Sequence, residues 1–450
     1  MKPILTSAIA LAVAVSGAAG VARAHTVDIR LGYQEMCTDT YPAGTVIMGL
    51  HLLERYLPKN GVHYHIVWRN YDSGAPLTNM MLANKLDFGT MGDYPLVVNG
   101  AKFQATHSER SFLITMTAYN AVGAGNGIVV PVKSNVYSVN ELEGKKLSVP
   151  VGSSAWGMLY EMAADRGIPF HKFRLVNQPP MVGIAAIAED KIAAHADFCP
   201  MSEYMQYKGT GRMIYSGAQT GVPYLHGAVV RAAYAKAHPE VVVAYCKAVT
   251  AADIWIKKDP KHAATMMAKW TMIPKEVLYL YYSHGGYLTP DPTIKPMWRK
   301  VLNRDHALLA KYAGIPPLKI NAWVNSQYLR TAFKQMGLHY DQQEKTILYP
   351  KRNIARPPEI WMADNHMEKF HSVAAMLRAF KKQTAAGNKI NATYVYDANT
   401  GLKMFGNCAF YVKSSKGYCA YMTVGAAKRA ATAAKTASMS FAAAVAGMAK

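Results

Sequence analysis

Two cysteine–methionine pairs carry the most distinctive side-chain chemistry in the chain. Met36-Cys37 and Cys199-Pro200-Met201 each put a thiol beside a thioether, and soft sulfur of both kinds is the ligand set Cu(I) prefers. Two thiols in loops that face one cleft can instead close into a disulfide, or pack as unrelated buried residues; all three readings stay open for Cys37 and Cys199. Met91 and His226 could join such a site, although a single Met or His more often packs. A second soft set is Met362, His366 and Met367. Read as a helix, positions 362 and 366 share a face, and Met–His sets suit copper; the alternative is two packed methionines and a solvated histidine. Cys408 and Cys419 read as neighbours on two strands of a hairpin. In an exported protein that makes a cross-strand disulfide the first reading and copper ligation the second. Cys246 falls on the apolar face of a helix and reads as core.

A second kind of chemistry is anion binding at helix starts, where free N–H groups and the helix dipole attract negative charge. Gly152-Ser153-Ser154-Ala155 is such a start, with two hydroxyls and an unhindered backbone; Gly92-Asp93-Tyr94-Pro95 and Ser73-Gly74-Ala75-Pro76 are others. The plainer reading is that these residues only cap helices. Asp93 is out of place at an anion site. It either points to solvent or pairs with a cationic part of a zwitterion. No Ser/His/Asp or Cys/His signature stands in a recognisable context, and HExxH, P-loop, GxGxxG and CxxC motifs do not occur, so the reading is a binding protein and not an enzyme. His63 and His65 could share one face of a strand, which an exposed strand explains equally well.

Elements that would position these residues follow from the hydrophobic pattern. Residues 27–34 and 63–69 alternate as strands, with amphipathic helices over 43–57 and 77–85 and a short strand over 86–90. The same order recurs as strand 146–149, helix 152–164, strand 174–176, helix 181–188 and strand 195–198. Strand–helix alternation of this kind predicts parallel sheets with crossover helices, and two such halves leave a cleft at the strand ends. The segment from 239 to about 340 reads as largely helical. A Pro-rich basic linker, 346–358, precedes a small α+β unit over 359–424 with a helix at 366–382 and strands at 390–397, 407–412 and 417–422. An Ala-rich tail, 425–450, closes the chain.

Composition bounds the setting. The 450 residues are 51% hydrophobic and carry a formal charge of +22, which excludes a disordered chain and points to an anionic ligand, membrane or nucleic acid. Residues 1–24 read as a signal peptide cleaved after Ala24: Lys2, an apolar run from Ala8 to Ala19, then Ala22-Arg23-Ala24. Export to the periplasm and the lack of basic runs interleaved with aromatics argue against nucleic acid.

With these elements in place, the chain resembles the solute-binding proteins of the nitrate/sulfonate/taurine ABC-importer family. The resemblance rests on LGYQ at 31–34, LDFGTMGDYPLVV at 86–98, GIVVPVKSNVYSVNELEGKKLSVPVGSSAWGMLY at 127–160 and KAHPEVVVAYCKAVTAADIWIKKDPKHAA at 236–264. It implies an α/β, two-lobed periplasmic binding protein of type II over 25–345. Such a protein closes on a small anionic solute and passes it to an ABC permease and its ATPase. The implied ligand contacts are Tyr33, Gln34, Cys37, Gly92, Asp93, Tyr94, Ser153, Ser154, Ala155, Met201 and Ser202. The C-terminal segment resembles a second family, the copper-delivering accessory lipoprotein of nitrous oxide reductase (NosL type), through FHSVAAML, INATYVYDANTG and NCAFYVKSSKGYCAYM. That resemblance adds Met422 to the Met362, His366 and Met367 set, with copper as cofactor and copper enzymes as partners. The chain lacks that family's Cys-x-Met segment, which changes the ligand set.

Overall fold

The computed structural model describes residues 26–106, 109–350, 356–415 and 417–448. The signal-peptide reading over 1–24, and part of the linker, lie outside the described residues. The first lobe is a six-stranded sheet ordered Thr289–Pro290, Ser111–Asn120, Tyr224–Arg231, Phe88–Gly92, Thr26–Tyr33 and His63–Asn70. The last three are mutually parallel and joined by helices; Tyr224–Arg231 runs antiparallel between Phe88–Gly92 and Ser111–Asn120. The second lobe is a five-stranded sheet ordered Arg174–Asn177, Lys146–Val149, Ala194–Asp197, Gly127–Pro131 and Gly211–Ser216. Lys146–Val149 is parallel to both its neighbours, and Gly127–Pro131 is antiparallel to both of its own. Central strands such as Phe88–Gly92 and Gly127–Pro131 are buried at every position, because helices or the other lobe cover both faces. The edge strand His63–Asn70 alternates in exposure, and His65 pairs with Asp28 at the surface, 2.9 Å away, so this histidine pair takes the solvated-face reading.

The chain crosses between lobes twice, from Asn120 to Gly127 and from Ser216 to Tyr224. At this crossing Gly123, at φ +95°, and Gly217 pass backbone to backbone: a Cβ on Gly123 would stand 2.3 Å from the Val222 carbonyl, and one on Gly217 2.3 Å from the Gly123 carbonyl. Asn120 ties the turn, its Oδ1 accepting from the Val122 and Ala124 N–H groups. Long helices, Pro239–Lys258 and Pro296–Ala313 among them, back the first lobe.

Three sequence expectations change here. The helix expected over 43–57 is a 3₁₀ turn, Thr38–Ala43, and two short helices, Thr45–Gly49 and Leu52–Tyr56, broken where His51 takes φ 52°. The helix expected over 366–382 is a hairpin, Glu359–Met362 against Met367–Lys369, turned at Asn365 with φ 71°, followed by helix Val373–Ala385 capped by Ser372. Residues of the Ala-rich tail fold: helix Val424–Ala433 leads to strand Ser438–Ser440, which pairs with Phe410–Ser414, and helix Phe441–Ala446 lays Phe441 against Phe380. The tail is therefore part of the C-terminal unit, whose two sheets have four and three strands.

That unit docks on the rest of the chain around a buried ion pair of its own, which joins two strands of its four-stranded sheet. Lys403 Nζ lies 2.7 Å from Glu359 Oε2, both nearly inaccessible, with the rings of Tyr279 and Tyr394 at 4.4 and 5.4 Å. Tyr279 donates to Glu359, and Tyr394 donates to the Glu276 carbonyl at 2.9 Å. Burial pulls the Lys403 ammonium down to about 8, against the pull of Glu359. On the second-lobe side, Phe405 packs on Tyr207 and the Cys408 thiol faces the Gln206 carbonyl. The unit thus touches both the helical segment around Glu276 and the second lobe.

Candidate ligand site at the interlobe seam

The seam is built from five chain segments that meet between the lobes. From the first lobe come the turn after strand Thr26–Tyr33, the start of helix Asp93–Ala105, and strand Tyr224–Arg231. From the second come the start of helix Ser154–Arg166 and the turn between Ala194–Asp197 and helix Met201–Tyr207.

At the two helix starts, Asp93 is fully buried and does not point to solvent. Its Oδ1 accepts from the Ser154 hydroxyl at 2.8 Å and from the Tyr94 N–H at 2.8 Å, and its Oδ2 accepts from the Leu225 N–H at 3.2 Å. Three converging donors make an oxyanion place, and the chain's own carboxylate fills it. Burial nevertheless lifts the Asp93 carboxyl to about 7, outweighing those three donors. Close approach here depends on glycine: a Cβ on Gly92 would stand 2.3 Å from Ser154 Oγ, and one on Gly157 would stand 2.3 Å from the Tyr94 ring. The Tyr94 hydroxyl then crosses the seam to Glu161 at 2.5 Å, which Arg304 also contacts.

Deeper in the seam Cys37 and Cys199 face each other across the lobes, Sγ to Sγ 3.4 Å, as free thiols. His226 Nε2 is 3.7 Å from Cys199 Sγ, and Asp39 Oδ2 is 3.1 Å from His226 Nδ1. The four are at most 2% exposed. Burial depresses the His226 imidazolium well below its usual range, raises the Cys199 thiol, and lifts Asp39 to about 7 and Glu203 to about 8. Tyr281 donates to Glu203, and Tyr282 to the Thr38 carbonyl. A void at the crossing end, lined in part by Asp93, Asn126, Glu161 and Tyr224, measures about 10 Å³, the scale of one water.

Of the residues expected to bind ligand, the seam brings together Cys37, Gly92, Asp93, Tyr94 and Ser154. Gln34 is buried beside them, its side chain donating to the Thr90 carbonyl at 2.8 Å. Ser153 caps its helix, accepting from the Trp156 N–H, and so takes the capping reading. Ala155, Met201 and Ser202 are buried at the two second-lobe helix starts. Tyr33 turns away and packs edge-on against Trp68 of the outer strand. Asp39, Glu161 and Glu203 were missed, and His226 was named as a residue that could join the Cys37 and Cys199 site, with packing the more common role for a single histidine. A histidine inside the apolar run LHGAVV is decided between packing and ligation only when the fold sets it beside Cys199.

The C-terminal set does not assemble as the helical reading required. Met362 is a buried residue of the ladder opposite Ile390, His366 lies exposed in the hairpin turn, and Met367 is half-buried opposite Trp361. Met422 sits elsewhere, under the Tyr287 hydroxyl and beside Asp397. Cys419 stands opposite Val412 and is exposed, while Cys408 lies before that strand in the turn Gly406–Cys408, so the two thiols are not cross-strand partners and both are free. The correction has a simple cause: strand Phe410–Ser414 begins two residues after Cys408.

The sequence matches the family model described as "NMT1/THI5 like" over residues 73–263. It is 27% identical to the taurine-binding periplasmic protein of Escherichia coli (strain K12) over 281 residues, 60% of this chain and 83% of that one. It is 23% identical to a putative aliphatic sulfonates-binding protein of the same strain, over 66% of this chain and 87% of the relative. Among solved structures it is similar to the alkanesulfonate-binding protein SsuA from Xanthomonas axonopodis pv. citri bound to MOPS, with a TM-score of 0.58, 20% identity and coverage of 67% of this chain and 99% of that one. The nitrate-binding protein NrtA from Synechocystis PCC 6803 gives a TM-score of 0.53 at 14% identity, over 71% and 91%. The fold is that of the two-lobed, type II periplasmic binding proteins.

Proposed function

We propose that the chain is the exported solute-binding component of an ABC importer, which captures a small cargo at the interlobe seam and presents the closed form to a permease and its ATPase. One observation carries this reading: donors and ligands from both lobes converge on a single buried seam, with only two glycine-lined crossings joining the lobes. Among the described residues no helix is long and apolar enough to cross a membrane. The relatives are named for taurine, aliphatic sulfonates and nitrate, so those solutes are the first to test. A plain sulfonate must compete with the Asp93 carboxylate for the Ser154, Tyr94 and Leu225 donors, whereas the ammonium of taurine would pair with it. Thermal melts of the mature protein against taurine, an alkanesulfonate and nitrate test this class: a saturable rise for one solute supports it, and three flat titrations remove these anions as cargo.

A further inference from the structure

The centre of the seam has the composition of a metal site. Cys37 and His226 belong to the first lobe and Cys199 to the second, and one donor atom from each lies within 4.8 Å of the others. With metal–sulfur bonds of about 2.3 Å and metal–nitrogen bonds of about 2.0 Å, ligands around one ion stand roughly 3.5–4.0 Å apart. The separations of 3.4 Å between the sulfurs and 3.7 Å from Cys199 to His226 need shifts of only a few tenths of an ångström, and the Cys37 and His226 donors lie within 4.8 Å of each other. The histidine is set for ligation: Nε2 faces the thiol, and Nδ1 faces the Asp39 carboxylate at 3.1 Å, the carboxylate-behind-imidazole arrangement that orients metal-binding histidines. That buried pair meets outside good hydrogen-bond geometry, leaving Asp39 Oδ2 and His226 Nδ1 without a hydrogen bond of their own. Thr117 holds the turn from the other side, its hydroxyl donating to the Asp39 carbonyl at 2.7 Å. Two thiols that merely packed would not require an imidazole nitrogen aimed at one sulfur, with a carboxylate behind the ring.

We propose that Cys37, Cys199 and His226 bind one thiophilic cation, Cu(I), as the cargo of the seam. The proposal rests on the solute-binding reading, because Cys199 reaches the other two ligands only when the lobes are closed. Two thiolates and an imidazole satisfy three-coordinate Cu(I), whereas Zn(II) takes a fourth ligand, and among the described residues no fourth His, Cys, Asp or Glu donor joins the three within 4.8 Å. Binding is an exchange without electron transfer: each ligating thiol releases its proton to solvent as the S–Cu bond forms.

The test uses the full mature protein, reduced and metal-free, titrated anaerobically with Cu(I) against a chromophoric Cu(I) chelator, with Zn(II) in a parallel arm. One equivalent of Cu(I) is expected, with an X-ray absorption signature of two sulfurs and one nitrogen. Cys37→Ser, Cys199→Ser and His226→Gln should each lower the affinity by about 100-fold or more, and Asp39→Asn by about 10–100-fold. Cys246→Ser and Cys408→Ser/Cys419→Ser should leave it unchanged. Where a seam variant melts early, the absorption spectrum of the wild type decides by itself. Retention of the ion by Cys37→Ser/Cys199→Ser overturns the proposal. So does one-equivalent Zn(II) binding without Cu(I), or a Cys37–Cys199 disulfide in the isolated protein whose reduction yields no Cu(I) site. Small-angle scattering separates this outcome from the importer reading. If copper binds with no change in radius of gyration, lobe capture fails while the site stands; if taurine or a sulfonate compacts the protein and copper does not bind, the site fails while capture stands.

Discussion

Truncating Asp93 to alanine tests whether the seam contains an oxyanion place filled from within. The carboxylate accepts from three donors, of which the Ser154 hydroxyl can turn away and the Tyr94 and Leu225 N–H groups cannot. A buried N–H left without an acceptor costs about 1–3 kcal/mol, so the variant should lose about 2–6 kcal/mol at pH 5. The loss should shrink as pH rises. Asp93 is lifted from 3.8 to about 7 by burial, with Glu161 adding to the rise, and Asp305 lies close enough to feel its charge. Between those two values the folded chain holds a proton that the unfolded chain has released. The stabilisation from this group is complete below pH 4 and is lost as pH rises through 7, at about 1.4 kcal/mol per pH unit. The variant has no such group, so its deficit against wild type should narrow by about 2–3 kcal/mol between pH 5 and pH 7. Asp39 and Glu203 titrate in both proteins and largely cancel in the difference.

The assay is guanidinium unfolding of both proteins at pH 5, 6 and 7. Formate supplies a second readout, because a small carboxylate can occupy the vacated place: millimolar formate should raise the variant's midpoint at pH 7 and leave the wild type unmoved. A deficit that stays constant or widens with pH, together with no response to formate or nitrate, would refute the idea that Asp93 occupies an anion position.

Three further substitutions probe how the lobes and the C-terminal unit are held. Lys403→Met leaves Glu359 charged and buried beneath Tyr279 and should cost about 3–5 kcal/mol in denaturant melts; adding Glu359→Gln should recover part of it. Glu161→Leu removes the acceptor of the cross-lobe bond from Tyr94 and should cost about 1–3 kcal/mol, with a larger radius of gyration by small-angle scattering. Gly157→Ala forces a Cβ to within 2.3 Å of the Tyr94 ring; it should destabilise by about 1–3 kcal/mol through overpacking and lower the affinity for any cargo that requires closure.

Much of the two-lobed fold was legible because its parallel strand–helix–strand units are punctuated by glycine and serine at the helix starts, as at Gly152-Ser153 and Gly92-Asp93. The long antiparallel strands were less so. Tyr224–Arg231 is buried at every position and Ser111–Asn120 at nearly every one, so neither shows the alternation that marks a strand with one wet face. The hairpin at Met362–Met367 was misread because three apolar or soft residues in six positions fit a helix turn as well as a ladder; Asn365 in the left-handed region decides between them. The site was legible in its sulfur, only as one possibility in its nitrogen, and not in its oxygen. Cys37 and Cys199 lie 162 positions apart and could be assigned to one cleft from topology alone. His226 and Asp39 needed the register that sets His226 opposite Gly92, which no local pattern encodes.

The placement of the C-terminal unit bears on how any cargo would leave. The unit grips the helical segment through Glu276, Tyr279 and Gly285, and it reaches the second lobe through Gln206 and Tyr207. A cleft of about 620 Å³ lies between it and the second-lobe residues Ser216, Ala218 and Gln219, with Asp397, Thr400 and Arg429 on its own side. Ser216–Gln219 is where the chain begins its second crossing, so a rotation of the lobes changes the shape of this cleft as well as the seam. The two grips differ in strength. On the helical segment Tyr279 donates to Glu359, Tyr394 to the Glu276 carbonyl and the Lys403 N–H to the Gly285 carbonyl at 2.8 Å, whereas the second-lobe contact is one ring pair and a long thiol–carbonyl approach of 3.6 Å. Opening should therefore break the second-lobe contact first and carry the unit with the helical segment. Tyr207→Ala removes the half-buried second-lobe ring that meets Phe405 and should shift the protein toward the open form without the large loss of stability expected of Lys403→Met. Equal losses for the two substitutions, with no change in compactness, would mean that the unit is a passive appendage with no hold on lobe movement.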